Sequence, residues 1–209
     1  MFAFGGNAHA ASAIDPATDT VVATVPLGGS PEEAVPDGDG NVFVNISDRA
    51  RIARIDARTN TVTAMWNVPT CPDIHGLAID ERTHRLFASC KGNVRMVVVD
   101  SNSGKVLAQL PIGLGTDGAA FDPASHLAFS SNKDGTLSVI EKDGPDRFTG
   151  LGNVETAPGA KNMAIDPKTG RVFLVTAKIL SERKGKPGNA PDFRFVPGTV
   201  HALILDPAR

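Results

Sequence analysis

Apolar and β-branched residues come in runs of about five or six along this chain, each run closed by Gly, Pro, Asn or Asp. No window sustains apolar residues at helical spacing, so the pattern predicts strands and no helix. The second repeating unit shows the arrangement, with runs near Glu33–Val35, Val42–Asn45, Ile52–Asp56 and Thr61–Trp66. Several runs are apolar at every position, as at Met96–Val99, rather than alternating. That continuity predicts sheets buried on both faces.

The runs repeat. Segments beginning at Glu32, His75, Asp117 and Lys161 each hold a short apolar stretch, an Asp, a polar turn and a second apolar stretch. The turn acids Asp37, Asp80, Asp122 and Asp166 are spaced by 43, 42 and 44 residues. A second series, Asp15, Asp56, Asp100 and Glu141, runs in phase, and the prolines Pro26, Pro69, Pro111 and Pro158 form a third. Units of roughly 40–45 residues with four strands each predict β-propeller blades. The reading is all-β, one propeller domain over residues 1–209, built of four-stranded antiparallel blades. MFAF aligns with NVFV, which sets Phe2 beside Phe43, Phe87 and Phe173 and puts Ala128 at the same place in the repeat that follows Phe87. The chain therefore opens on the second strand of a blade. A long break over residues 177–198 is expected to be a mobile inserted loop in the last blade, before a final strand from Thr199. The count is 18 strands, about 4.5 blades.

Composition narrows the classes. Hydrophobic residues make up 41% and charged residues 21%, an ordinary globular balance. Twenty-one Lys and Arg against 23 Asp and Glu leave a net charge of -2, so no global basic field draws nucleic acid. No apolar run approaches the roughly 20 residues of a membrane helix, so no membrane span is expected. The opening MFAFGGNAHA has no basic segment followed by an apolar core, so no signal peptide is expected in this chain.

Seven stretches carry a family resemblance: AIDPATDTVVATVPLG, VFVNISD, GLAIDERTHRLF, SGKVLAQLPIG, GAAFDP, FSSNKDGTLSV and MAIDPKTGRVFLV. With the closing PGTVHALIL, the chain resembles the YVTN-repeat (YncE-like) β-propeller family over nearly its whole length. The resemblance implies a seven-bladed ring, of which this sequence reads as the C-terminal portion. It also implies a periplasmic or extracellular location for the full-length protein. Related propellers include lactonases and cofactor-bearing oxidoreductase domains, so a lactonase-like hydrolase is the alternative to a non-catalytic binding propeller. An incomplete ring would leave blade faces open to self-association.

Ligands of a propeller meet loops at one mouth of the central channel. The loops leading into the innermost strands bring Glu32, Glu33, His75, Asp117, Lys161 and Asn162 to that mouth. Those joining second to third strands bring Asn45, Arg49, Lys91, Asn132 and Lys133. Polar groups at equivalent positions of successive blades are the candidate binding set, for an unknown protein or small molecule. The turn acids recur in every blade and read as structural caps. His84 and His126 lie at the opposite mouth to His75, so no multi-histidine metal centre is expected, and no cofactor is. No nucleophile elbow, phosphate-binding loop or HExxH motif occurs, so no catalytic residue is assigned. The insertion carries five Lys and Arg against Glu182 and Asp192 between Lys178 and Arg194. Arg194, flanked by Phe193 and Phe195, is the candidate contact for a polyanion or a single nucleic-acid strand.

Two cysteines, Cys71 and Cys90, are too few for a disulfide framework, and are read either as idle thiols or as one bridge. If Ile79 pairs with Leu86, Cys90 falls opposite His75, and Pro72 favours a turn that folds Cys71 back towards it. The oxidising compartment implied by the resemblance would preserve such a bond.

Overall fold

A computed structural model describes residues 1–186 and 188–207. The chain forms five consecutive antiparallel sheets. The first holds β1 (Phe2–Gly5), β2 (Ala10–Asp15) and β3 (Thr20–Pro26). The second is the meander β4 (Pro31–Pro36), β5 (Asn41–Ile46), β6 (Arg51–Asp56) and β7 (Thr61–Asn67). The third runs through β8 (Ile74–Asp80), β9 (Arg85–Cys90), β10 (Arg95–Asp100) and β11 (Val106–Pro111). The fourth comprises β12 (Thr116–Asp122), β13 (Leu127–Asn132), β14 (Thr136–Lys142) and β15 (Phe148–Glu155). The fifth opens with β16 (Asn162–Asp166) and β17 (Arg171–Thr176). A separate hairpin follows, β18 (Ile179–Arg183) and β19 (Asp192–Phe195), and β20 (His201–Leu205) then pairs with β17 to complete the sheet.

The turn acids do what their recurrence implied. Asp37 Oδ1 accepts from the amides of Asp39 and Asn41, both at 2.9 Å. Asp122 Oδ1 accepts from the Ala124 amide at 3.0 Å, and Asp166 Oδ1 from the Lys168 amide at 3.0 Å. Each closes the tight turn between the first and second strands of its blade. His84 and His126 complete such turns in the left-handed region, with φ of 57° and 60°.

The core lies between blades. Met96 and Val98 pack with Phe87, Phe121 and Ile140 on one side of the third sheet. Val97 and Val99 pack with Phe43, Ile52 and Leu77 on the other. Both faces of the strand are buried, which is why its sequence is continuously apolar. The recurring phenylalanine needs one correction. Phe129 pairs with Val139 as Phe87 pairs with Val98 and Phe43 with Arg54, so Phe129 and not Ala128 holds the repeated position. Away from the fourth sheet, the last sheet exposes Val175 and Ile204.

The insertion holds a hairpin where a loop without strands was expected. Its strands pair from Ile179–Phe195 to Arg183–Asp192, and Ala190 and Asp192 meet the fourth blade. Asp192 reaches Lys133 at 2.6 Å, and a Cβ added to Gly115 would lie 2.8 Å from the Ala190 Cβ. Phe193 and Phe195 lie against Gly159, where an added Cβ would meet the Phe195 ring at 2.6 Å. The glycines permit this close approach.

Candidate functional site

One irregularity, repeated blade by blade, builds the mouth. β4, β8 and β12 each carry one extra residue near the N-terminal end: between Pro31 and Ala34, Ile74 and Leu77, and Thr116 and Gly118. A bulge breaks the in-out alternation and re-aims the side chains beside it. Glu32, His75, Asp117 and Lys161 occupy equivalent places, each five residues before its turn aspartate. His75 Nδ1 lies 3.4 Å from Asp117 Oδ1, and Asp117 Oδ2 lies 3.0 Å from Lys161 Nζ. On the other ring nitrogen, His75 Nε2 lies 3.2 Å from Asp73 Oδ1 and 3.4 Å from Lys91 Nζ. Acid and base thus alternate across three blades, beside a cavity of about 280 Å³ lined by Glu32, Glu33, His75, Asp117 and Asn162.

Burial and hydrogen bonding shift the groups of this cluster in opposite directions. Glu33 accepts a 2.8 Å hydrogen bond from the Leu77 amide, yet desolvation dominates and lifts its pKa to about 7, helped by the nearby Asp117 charge. Its hydrogen bond to Asp117 raises the His75 pKa above the ordinary imidazole value, against burial and the Lys91 charge. Desolvation works to raise the Asp117 pKa, but hydrogen bonds from His75 and Lys161 outweigh it and hold the carboxyl below its usual range.

These sheets and their radial stacking have a counterpart among solved proteins. The chain is similar to hydrazine synthase from Kuenenia stuttgartiensis, with a TM-score of 0.64 at 16% identity. The match covers 84% of this chain and 49% of that one, so the chain spans about half the length of its structural counterpart. The fold is a β-propeller. No family model and no curated protein matches the sequence. A fold shared at this level of identity carries no activity with it.

The propeller mouth is stapled by a disulfide between Cys71 and Cys90, with Cα atoms 5.0 Å apart and both residues fully buried. The bulge shifts the pairing by one residue, so Cys90 faces Ile74 and not His75. Lys91 N donates to Asp73 O at 2.9 Å and Gly92 N to Pro72 O at 3.1 Å, so disulfide and backbone together fix Asp73, His75 and Lys91.

Other candidates are placed elsewhere. Asn45 is fully buried, and its Nδ2 donates to the His75 carbonyl at 2.7 Å, bracing the next blade. Asn132 is equally buried and donates to Ser138 Oγ at 2.9 Å and Thr136 Oγ1 at 3.0 Å. Neither lines the cavity beside His75. Arg49 is exposed beside Asp48 at 3.3 Å, outside the cavity lining. Arg194 is exposed on the hairpin face opposite Phe193 and Phe195, whose rings lie against Gly159 while Phe195 stays partly exposed. Among the described residues, no three His, Cys, Asp or Glu side chains converge as metal ligands, and no helix is long and apolar enough to cross a membrane. Sequence reasoning missed Asp73, which accepts from Ser47 Oγ at 2.9 Å and holds His75. Its only signal was its place between the turn-forming Pro72 and His75.

Proposed function

We propose that this propeller is a non-catalytic binding module that takes a small polar ligand, or a polar segment of a partner, at the mouth of its channel. One observation carries the reading: equivalent positions of successive blades converge as an alternating acid-base row around one polar cavity. Such a row offers donors and acceptors in turn, which suits a zwitterion or a polyhydroxyl compound. The buried Cys71–Cys90 disulfide supports a periplasmic or extracellular setting, where such bonds persist. The repeat motifs support kinship with the YVTN-repeat propellers.

A panel of amino acids and monosaccharides, titrated against the protein and followed through the His75 imidazole resonances, tests the reading. The expected result is a saturable shift at His75 that Asp117→Asn abolishes, with the compound recovered unchanged. A panel that leaves His75 unmoved refutes binding at the mouth. Accelerated opening of a γ-lactone by the protein would replace the binding reading with the hydrolase one.

A further inference from the structure

A second cavity lies between the docked hairpin and the third and fourth blades, adjoining the acid-base row through Asp73 and Lys91, which contact His75. It measures about 570 Å³ and is roofed by the hairpin tip. Five cations line it: Lys91, Lys133, Arg183, Lys184 and Lys186. Only Asp73 and Asp192 oppose them, leaving three positive charges in excess. Asp192 is shared, at 2.6 Å from Lys133 and 2.7 Å from Arg183, and that double pairing pushes its pKa down to about 2. Among the described residues, Lys91, Lys184 and Lys186 have no carboxylate partner.

Backbone makes up much of the remaining wall. Gly92, Gly115 and Gly185 line the cleft at places where a Cβ would lie 2.9 Å or less from its neighbours. At Gly115 that neighbour is Ala190 of the hairpin, so the hairpin closes on the fourth-blade loop there and brings its cations towards Lys133 and Lys91, charges that repel one another. An anion that bridges them relieves the repulsion, and ammonium and guanidinium groups suit tetrahedral oxyanions.

We propose that this cleft binds a small compound carrying two linked phosphate groups. The surplus of three positive charges matches the charge of a diphosphate near neutral pH. The volume falls within the roughly 300–1,000 Å³ of small-ligand pockets and not in the class of an open groove. A nucleic-acid strand fits less well, because neither Phe193 nor Phe195, the rings that would stack on its bases, lines the cleft. The site goes beyond the mouth reading and stands whether or not the acid-base row binds its own ligand.

Calorimetric titration of the whole chain with inorganic pyrophosphate tests the assignment. One equivalent should bind, more weakly as salt rises. Lys184→Ala with Lys186→Ala should weaken binding by about tenfold or more. Lys105→Ala with Lys168→Ala removes the same charge from exposed turns outside the cleft and should leave binding unchanged. Absence of saturable binding, or equal loss in both double variants, overturns the proposal. So does a short single-stranded oligonucleotide that displaces pyrophosphate at lower concentration, since that result marks the cleft as part of a strand-binding groove.

Discussion

Replacing Lys142 by Met should destabilise the protein far more than any exposed lysine substitution. Lys142 Nζ lies 3.0 Å from Asp80 Oδ2, and the two side chains are 5% and 4% exposed. The pair ties β14 of the fourth blade to β8 of the third. Methionine preserves the length of the stem and removes the ammonium, leaving a buried carboxylate with Thr83 Oγ1, at 2.5 Å, as its remaining side-chain donor. Breaking such a pair costs about 3–5 kcal/mol. For a chain of this size each kcal/mol moves the melting temperature by about 2–4 °C, so a fall of about 10 °C is expected at pH 7. The pH dependence adds a second check. Burial works to raise the Asp80 pKa, but hydrogen bonds from Thr83 and Lys142 outweigh it and hold it below the ordinary carboxylate value. A depressed carboxyl stabilises above its unfolded pKa and loses that contribution as pH falls through the folded one. Without Lys142 the desolvation is unopposed by charge, the pKa rises, and the deficit against wild type should shrink as the medium is acidified. Thermal melts by circular dichroism at pH 7 and pH 5 read both effects, and Asp80→Asn combined with Lys142→Met should recover most of the loss. A single variant that melts like wild type, or a double variant that melts as low as the single, refutes the reasoning.

Glu33 titrates the other way. Its pKa of about 7 lies above the unfolded value, so its stabilising contribution is complete below pH 4.5 and is lost as pH rises through about 7; Glu33→Gln should flatten that part of the stability-pH curve, and an unchanged slope in denaturant titrations would show that the carboxyl is already ionised. Gly76→Ala should cost about 1–3 kcal/mol, because the new Cβ would lie 2.6 Å from the Ala119 amide nitrogen, the Gly118 carbonyl carbon and Ser89 Oγ; a variant with an unaltered urea midpoint would mean that β8 and β12 separate freely. Cys71→Ser with Cys90→Ser should lower stability by about 3 kcal/mol in the chain-entropy model for a separation of 19 residues, and thiol titration of the unreduced, denatured wild type should find no free thiol.

Much of the molecule was legible in its residues because a propeller is a local fold. In the first four sheets each strand pairs with its sequence neighbour, so a run of apolar residues, a capping Asp and a turn specify a blade without long-range information. The boundaries of β5, β9 and β13 follow from that pattern, as do the turns that Asp37, Asp80 and Asp122 cap. The mouth was legible for the same reason: His75, Asp117 and Lys161 recur at one phase of the repeat, and that phase is a place in space.

Tertiary structure decided what phase alone does not encode. The bulges in β4, β8 and β12 add a residue that no side-chain pattern announces, so Cys90 faces Ile74 while His75 turns to Asp117. Asn45 and Asn132 read as exposed loop polars, yet the packing of one blade on the next buries them, and their Nδ2 groups donate to the His75 carbonyl and Ser138 Oγ. The hairpin of the insertion depends on contacts with Lys133, Gly115 and Gly159, far off in sequence, and glycine-rich, charged composition gives no sign of them. The sequence by itself determined the strands, the turns and the blade repeat, because those rest on neighbours along the chain. Which polar groups face solvent, which brace the core and where five cations gather was settled only when separate blades met, because burial and charge depend on what lies across the gap.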